Sequence, residues 1–251
     1  KKMHGKYPVI YLSFKDIKSD NYQESYQDVK FLISEEYNQH QYLLKSKEIS
    51  DYDKRKFKKI LNDQGSITDY KFSLLNLSKY LYNHHNVKPI LLIDEYDTPI
   101  ISAYNNQYYD NFINFYKVLL GAALKDNEFL EKSVLTGITK VAKESIFSDL
   151  NNLDVSTVLS KFFNDKFGLR KEEVLEILDY YNLEYKTDKV IDWYNGYNMG
   201  GKKVYNPFSI VNFAHKNEFK EYWINSSANV LIKDLIRKST ADFKEGVFNL
   251  I

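Results

Sequence analysis

The sequence predicts an α/β fold in which a parallel sheet flanked by helices is followed by a smaller helical lid carrying a short hairpin. Three observations carry this. Ile90-Leu91-Leu92-Ile93 is apolar at four consecutive positions, which predicts a strand buried on both faces, as in parallel sheets. Strand-like and helix-like patterns alternate up to about residue 160, the order that builds a parallel sheet with right-handed crossovers. Beyond that point short amphipathic helices and turn residues replace the alternation.

Taken in order, Val9-Ile10-Tyr11-Leu12-Ser13-Phe14 is the first strand, its apolar residues crowded rather than alternating. Tyr26, Val29, Ile33, Tyr37 and Leu44 then recur at helical spacings and predict a long helix. The polar stretch from Lys45 to Asp63 holds a basic cluster, Lys54-Arg55-Lys56-Phe57-Lys58-Lys59. That cluster could touch phosphates, but Asp51, Asp53 and Asp63 dilute it and a solvated helix face is favoured. Ser66 and Asp69 resemble a capping box opening a helix with the apolar stripe Ile67, Tyr70, Leu74, Leu77 and Leu81, and His84-His85 ends it. Asn86-Val87-Lys88-Pro89 leads into the strand at Ile90. Tyr109, Phe112, Ile113, Tyr116, Leu120 and Ala123 mark a helix over about 108–125, and Ser133-Val134-Leu135-Thr136-Gly137 reads as a short buried strand with a hydroxyl at its tip. Val155-Ser156-Thr157-Val158-Leu159 is expected to be the last strand. Helices then start near Lys171, Asp188 and Phe208, with a hairpin before the last of them, an arrangement that suggests a winged-helix-like lid.

Composition narrows the chemistry. With no cysteine there is neither a disulfide framework nor a thiolate metal site, and the five histidines show no paired ligand spacing. A net charge of +1 gives no global electrostatic case for nucleic acid. No apolar run approaches the ~20 residues of a membrane span, and Lys1-Lys2-Met3-His4-Gly5 leads into no signal-peptide core, so a soluble cytoplasmic protein is expected.

The chemistry concentrates where the strand Ile90–Ile93 runs into Asp94-Glu95. Acids at the carboxyl end of such a strand lie at the crevice where open α/β sheets bind ligands. The pair has the form of a Walker B element, whose first acid holds Mg²⁺ and whose second orients the attacking water of a nucleoside triphosphatase. An acid pair in this position can also simply cap the following helix. Thr136 should emerge beside the acids, because parallel neighbours end on the same edge. A polar residue there suits a sensor of the γ-phosphate, and a hydroxyl satisfying a strand-end turn is the plainer alternative. Glu184-Tyr185-Lys186 downstream of Asp179 imitates a restriction-nuclease spacing but lacks the apolar hairpin context, and reads as coincidence. No Gly-x-Ser-x-Gly elbow or Cys-His pair competes.

Three groups of residues together resemble the predicted AAA-ATPase-like proteins of bacteria and archaea. They are Leu92-Ile93-Asp94-Glu95-Tyr96-Asp97-Thr98-Pro99-Ile100; Leu135-Thr136-Gly137-Ile138 with Ala142-Lys143-Glu144-Ser145-Ile146-Phe147; and Trp193-Tyr194-Asn195-Gly196-Tyr197 with Tyr205-Asn206-Pro207. The resemblance extends from Gly5 to Lys233. It implies a P-loop NTPase-type core over residues 1–160 and a lid over 161–251, with ATP and Mg²⁺ as cofactors. It further implies Asp94 as the magnesium-linked acid, Glu95 as the catalytic acid and Thr136 as the sensor, all three facing nucleotide. Lys140 stands where relatives often carry an arginine that stabilises phosphate charge, although lysine lacks the planar fork. The partners implied are a nuclease-like domain after the module or a separate effector, and a homo-oligomer; nucleic acid is left open and no membrane is expected.

One component of such an ATPase is absent. No glycine-rich loop ending in Gly-Lys-Ser or Gly-Lys-Thr occurs in the 251 residues; Gly5, Gly65 and Gly200-Gly201-Lys202-Lys203 all lack its form. In the family that loop lies upstream of the segment matching residues 5–14, so the sequence looks like a module whose front end, with a central strand, lies outside it. These residues alone are expected to be inactive. Two functions follow: ATP hydrolysis coupled to a conformational change in an attached or associated effector, or a non-catalytic module for nucleotide sensing or protein and nucleic-acid interaction. A Gly-Lys-Ser/Thr loop upstream would favour the first.

Overall fold

The computed structural model describes residues 4–138, 153–223 and 239–240. They belong to two compact units, Lys1–Leu153 and Asp154–Ile251. In the first, β1 (Val9–Ser13), β2 (Ile90–Asp94) and β3 (Lys132–Leu135) form a sheet in the order β1-β2-β3. Both pairs are parallel, running from Val9↔Ile90 to Ser13↔Asp94 and from Ile90↔Lys132 to Ile93↔Leu135. All three carboxyl ends therefore share one edge, as the alternating pattern predicts. On the outer edge of β1 the Tyr11 N–H donates to the buried Glu36 carboxylate at 3.1 Å.

The helices that join these strands are set by caps and apolar stripes. α1 (Tyr22–Gln39) opens on Asn21, whose side chain accepts from Glu24 N, and buries Val29, Ile33 and Tyr37. Leu44 lies beyond it in a 3₁₀ turn, Gln41–Lys45. α2 (Asp51–Leu61) buries only Phe57 and Ile60 and leaves Arg55, Lys58 and Lys59 exposed, the solvated face expected of that basic cluster. The capping box at Ser66 and Asp69 forms, but the helix it opens is interrupted at Phe72, giving α3 (Ile67–Lys71) and α4 (Ser73–His85). The break has a polar cause: the Ser73 hydroxyl donates to Tyr70 O at 2.7 Å while Ser73 O accepts from the Tyr37 hydroxyl at 2.7 Å. Ile67, counted in the stripe by its spacing, is exposed. α5 (Thr98–Asn105) follows β2, and α6 (Tyr109–Leu124) brings Phe112, Tyr116, Leu120 and Ala123 into the core.

The expectation that β2 is buried on both faces is not met. Ile10, Leu12, Leu91 and Ile93 pack against the helices, whereas on the opposite face Val9, Tyr11 and Val134 are 42%, 52% and 48% exposed. Ile90 and Leu92 on that face are only partly covered. A continuous apolar run thus marks a strand suited to two covered faces, of which the described residues cover one.

The second unit contains α7 (Lys171–Tyr180), α8 (Thr187–Tyr194), the hairpin of β4 (Tyr197–Met199) and β5 (Lys202–Val204), and α9 (Pro207–Lys216). Gly200 and Gly201 turn the hairpin at φ +50° and +87°, where both positions demand the left-handed region. Asn206 caps α9 and Pro207 takes its first turn. Val174, Leu178, Val190, Ile210 and Phe213 form this unit's core. Val155–Leu159, expected as a strand, is irregular. Its backbone is turned instead, Thr157 N donating to Ser160 Oγ and Ser160 N to Thr157 O, both at 2.9 Å, and Val155, Val158 and Leu159 are exposed. Glu184–Lys186 is a 3₁₀ turn, without the hairpin a nuclease motif requires. Among the described residues no helix is long and apolar enough to cross a membrane.

Candidate functional site

Parallel register builds the site. Ser13 pairs with Asp94, and the step after Ile93↔Leu135 sets Asp94 beside Thr136. Side chains two residues apart share a face and neighbouring strands lie about 4.8 Å apart, so these three residues form a row at the carboxyl edge, on the face the helices leave open. The row is hydrogen-bonded throughout: Thr136 Oγ1 donates to Asp94 Oδ1 at 2.6 Å and Ser13 Oγ donates to Asp94 Oδ2 at 3.2 Å. Each carboxylate oxygen thus has one donor and keeps acceptor capacity.

Glu95 follows on a left-handed turn with φ +51°, an uncommon conformation for a residue with a side chain. The turn is held from several sides. Thr98 N donates to Glu95 O at 3.1 Å, and Tyr96 N donates to Thr136 O at 3.0 Å. Tyr96 O accepts from the Tyr116 hydroxyl at 2.9 Å. Tyr116 lies wholly inside the core, and burial first, then the nearby Asp97 and Tyr96, push its hydroxyl well above the usual tyrosine range, so it is a permanent donor. Gly137 closes the arrangement: a Cβ there would stand 2.6 Å from Asp97 Oδ1 and 2.7 Å from the Tyr96 ring. The Glu95 side chain is itself held, with Thr98 Oγ1 donating to its Oε2 at 2.9 Å.

The structure therefore brings together Asp94, Glu95 and Thr136, which the sequence singles out. Lys140 and the segment Ala142–Phe147 lie outside the described residues. Sequence reasoning passes over Ser13, Thr98, Tyr116 and Gly137. A hydroxyl at the end of an otherwise apolar strand was a signal for Ser13. Tyr116 carried none, being indistinguishable in sequence from its core neighbours on α6.

Among the described residues no group of three or more His, Asp or Glu could hold a metal alone. Mg²⁺ is usually bound through one or two carboxylates, with waters and substrate phosphates completing its shell. Asp94, with a hydroxyl on either side, is a donor set of that kind.

A parallel α/β sheet flanked by helices, with an acid pair and a strand-end hydroxyl on its carboxyl edge, is consistent with a P-loop-like core. The family model described as "Predicted AAA-ATPase" matches residues 1–147, and the chain belongs to that family. The match ends short of Trp193–Tyr197 and Tyr205–Pro207, the second-unit part of the resemblance. The chain is also similar to an "Uncharacterized protein in vnfD 5'region" of Azotobacter chroococcum mcd 1, 32% identical over 158 residues. That alignment covers 61% of this chain and 30% of the relative. No solved structure matches.

Proposed function

We propose that the first unit is the acid-and-sensor part of a module that binds and hydrolyses ATP, and that hydrolysis drives a conformational change in an attached or associated effector. The observation that carries this reading is the row Ser13–Asp94–Thr136 on the carboxyl edge, with Glu95 fixed beside it. Family membership supports the nucleotide.

In this reading Asp94, oriented by the Ser13 and Thr136 hydroxyls, would hold Mg²⁺. The ion, when bound, neutralises charge developing on the phosphates. Glu95 orients the attacking water through Oε1, the oxygen that Thr98 leaves unoccupied. Thr136 can redirect its hydroxyl from Asp94 to a phosphate oxygen, which makes it a sensor of what occupies the site. The sequence has no Gly-Lys-Ser/Thr cradle, and this reading assigns the grip on the phosphates to none of these 251 residues. The second unit, helical with a short hairpin, serves as a lid of winged-helix type.

The test uses the full-length natural protein. Glu95→Gln should still bind Mg²⁺-ATP while phosphate release falls by about 100-fold or more, because only the water-orienting carboxylate is lost. Asp94→Asn should weaken magnesium-dependent binding as well. Undiminished turnover by Glu95→Gln, in a preparation cleared of contaminating ATPase, would refute the assignment.

A further inference from the structure

The turn between β2 and α5 contains a hydroxyl that its helix does not need. Thr98 is the first residue of α5, and the capping position belongs to Asp97. A capping hydroxyl accepts a hydrogen bond from a helix N–H. The Thr98 hydroxyl instead donates, 2.9 Å from Glu95 Oε2, and so points back at the acid. The surrounding backbone is already fixed. Tyr96 is tied to β3 through Thr136 O and to α6 through the Tyr116 hydroxyl, and Thr98 N closes the turn on Glu95 O. Among the described residues, the Thr98 hydroxyl restrains the torsions of the Glu95 side chain. A β-branched residue suits this task, because its own χ1 is restricted and the donor is held in place before substrate arrives.

From this geometry we infer that Thr98 is a positioning residue for hydrolysis, holding one oxygen of Glu95 so that the other is aimed at the attacking water. The inference rests on the reading of Glu95 as the water-orienting acid. It goes beyond that reading by assigning a function to a side chain to which that reading gives none. A carboxylate with one oxygen satisfied by a neighbouring donor presents the other in one direction, and that pre-orientation is what a rate constant records. Binding of ATP should not depend on it.

The experiment compares wild type, Glu95→Gln, Thr98→Val, Thr98→Ser and the double variant in the full-length protein. Steady-state phosphate release is measured against ATP concentration, together with thermal melting. Val matches Thr in shape and removes only the donor. Thr98→Val should lose about tenfold or more in kcat, the scale of a hydrogen bond to a charged group, with KM within about twofold. Thr98→Ser, which keeps the donor on a freer torsion, should recover to within about threefold of wild type. Thr98→Val added to Glu95→Gln should cost nothing further, because both act through one carboxylate. Wild-type kcat in Thr98→Val, with Glu95→Gln inactive, would overturn the inference and leave the ATPase reading standing, as would an additive loss in the double variant. Full turnover in Glu95→Gln would remove the reading and the inference together. If Thr98→Val melts before it can be assayed, Thr98→Ala takes its place and the same outcomes decide.

Discussion

At the scale of single residues, the site depends on close approach as much as on charge. Asp94 receives its two hydroxyls only because β1, β2 and β3 keep strict register to their last residues. Gly137 then lets the chain leaving β3 pass against Tyr96 and Asp97. Asp97 is 1% exposed and Tyr96 is anchored on both its N–H and its C=O, so neither can withdraw cheaply. A methyl group at 137 has to displace one of them or lift Thr136 away from Asp94. Gly137→Ala should therefore destabilise by about 1–3 kcal/mol, the usual cost of forcing extra volume into a packed place. The measurement is denaturant unfolding monitored by tyrosine fluorescence. A change of no more than a few tenths would show that the loop has room the geometry does not suggest.

At the scale of elements, the α1 to α3 corner is held by a polar contact that the sequence conceals. Lys30 lies on the buried side of α1 at 8% exposure, its ammonium 2.8 Å from Asp63 and within 5.2 Å of the Tyr70 ring centre. The Tyr70 hydroxyl donates to the same Asp63 oxygen at 2.8 Å. The Lys30 hydrogen bond first of all, with that of Tyr70 behind it and burial opposing, holds the Asp63 carboxyl below the usual range. A depressed carboxyl contributes stability that is present above its unfolded value near 4 and is lost as pH falls through the folded value. Asp63→Asn should therefore be less stable than wild type at pH 7, and the gap should close below about pH 4. A gap unchanged at low pH would mean the contact is steric rather than ionic. This corner also shows what was legible. The stripes of α1, α4 and α6 and the three strands of the sheet follow from apolar spacing, and their parallel run placed Asp94, Glu95 and Thr136 on one edge. The break at Phe72, the partnership of Lys30 with Asp63 and the hold of Thr98 on Glu95 depend on hydrogen bonds that spacing does not encode. The failed strand at Val155–Leu159 belongs with them: its apolar residues suit a sheet, but Thr157 and Ser160 offer the backbone a turn of its own.

At the scale of the whole molecule, the open face of the sheet and the candidate site are one surface. Val9, Tyr11 and Val134 lie on the same face as Ser13, Asp94 and Thr136, exposed where a parallel sheet ordinarily carries a second layer. The acids at its edge repel phosphates unless a metal and a cradle of backbone N–H groups offset the repulsion, and the sequence contains no loop of that form. A polypeptide of residues 1–251 should therefore show no magnesium-dependent affinity for ATP in the micromolar range by titration calorimetry, whereas the full-length protein should. The contrast matters more than either result alone, since weak binding by both would argue against the ATPase reading as a whole. Micromolar binding by residues 1–251, retained in Asp94→Asn and Glu95→Gln, would place the nucleotide away from the β2 edge and leave the hydroxyl–carboxylate row without a substrate.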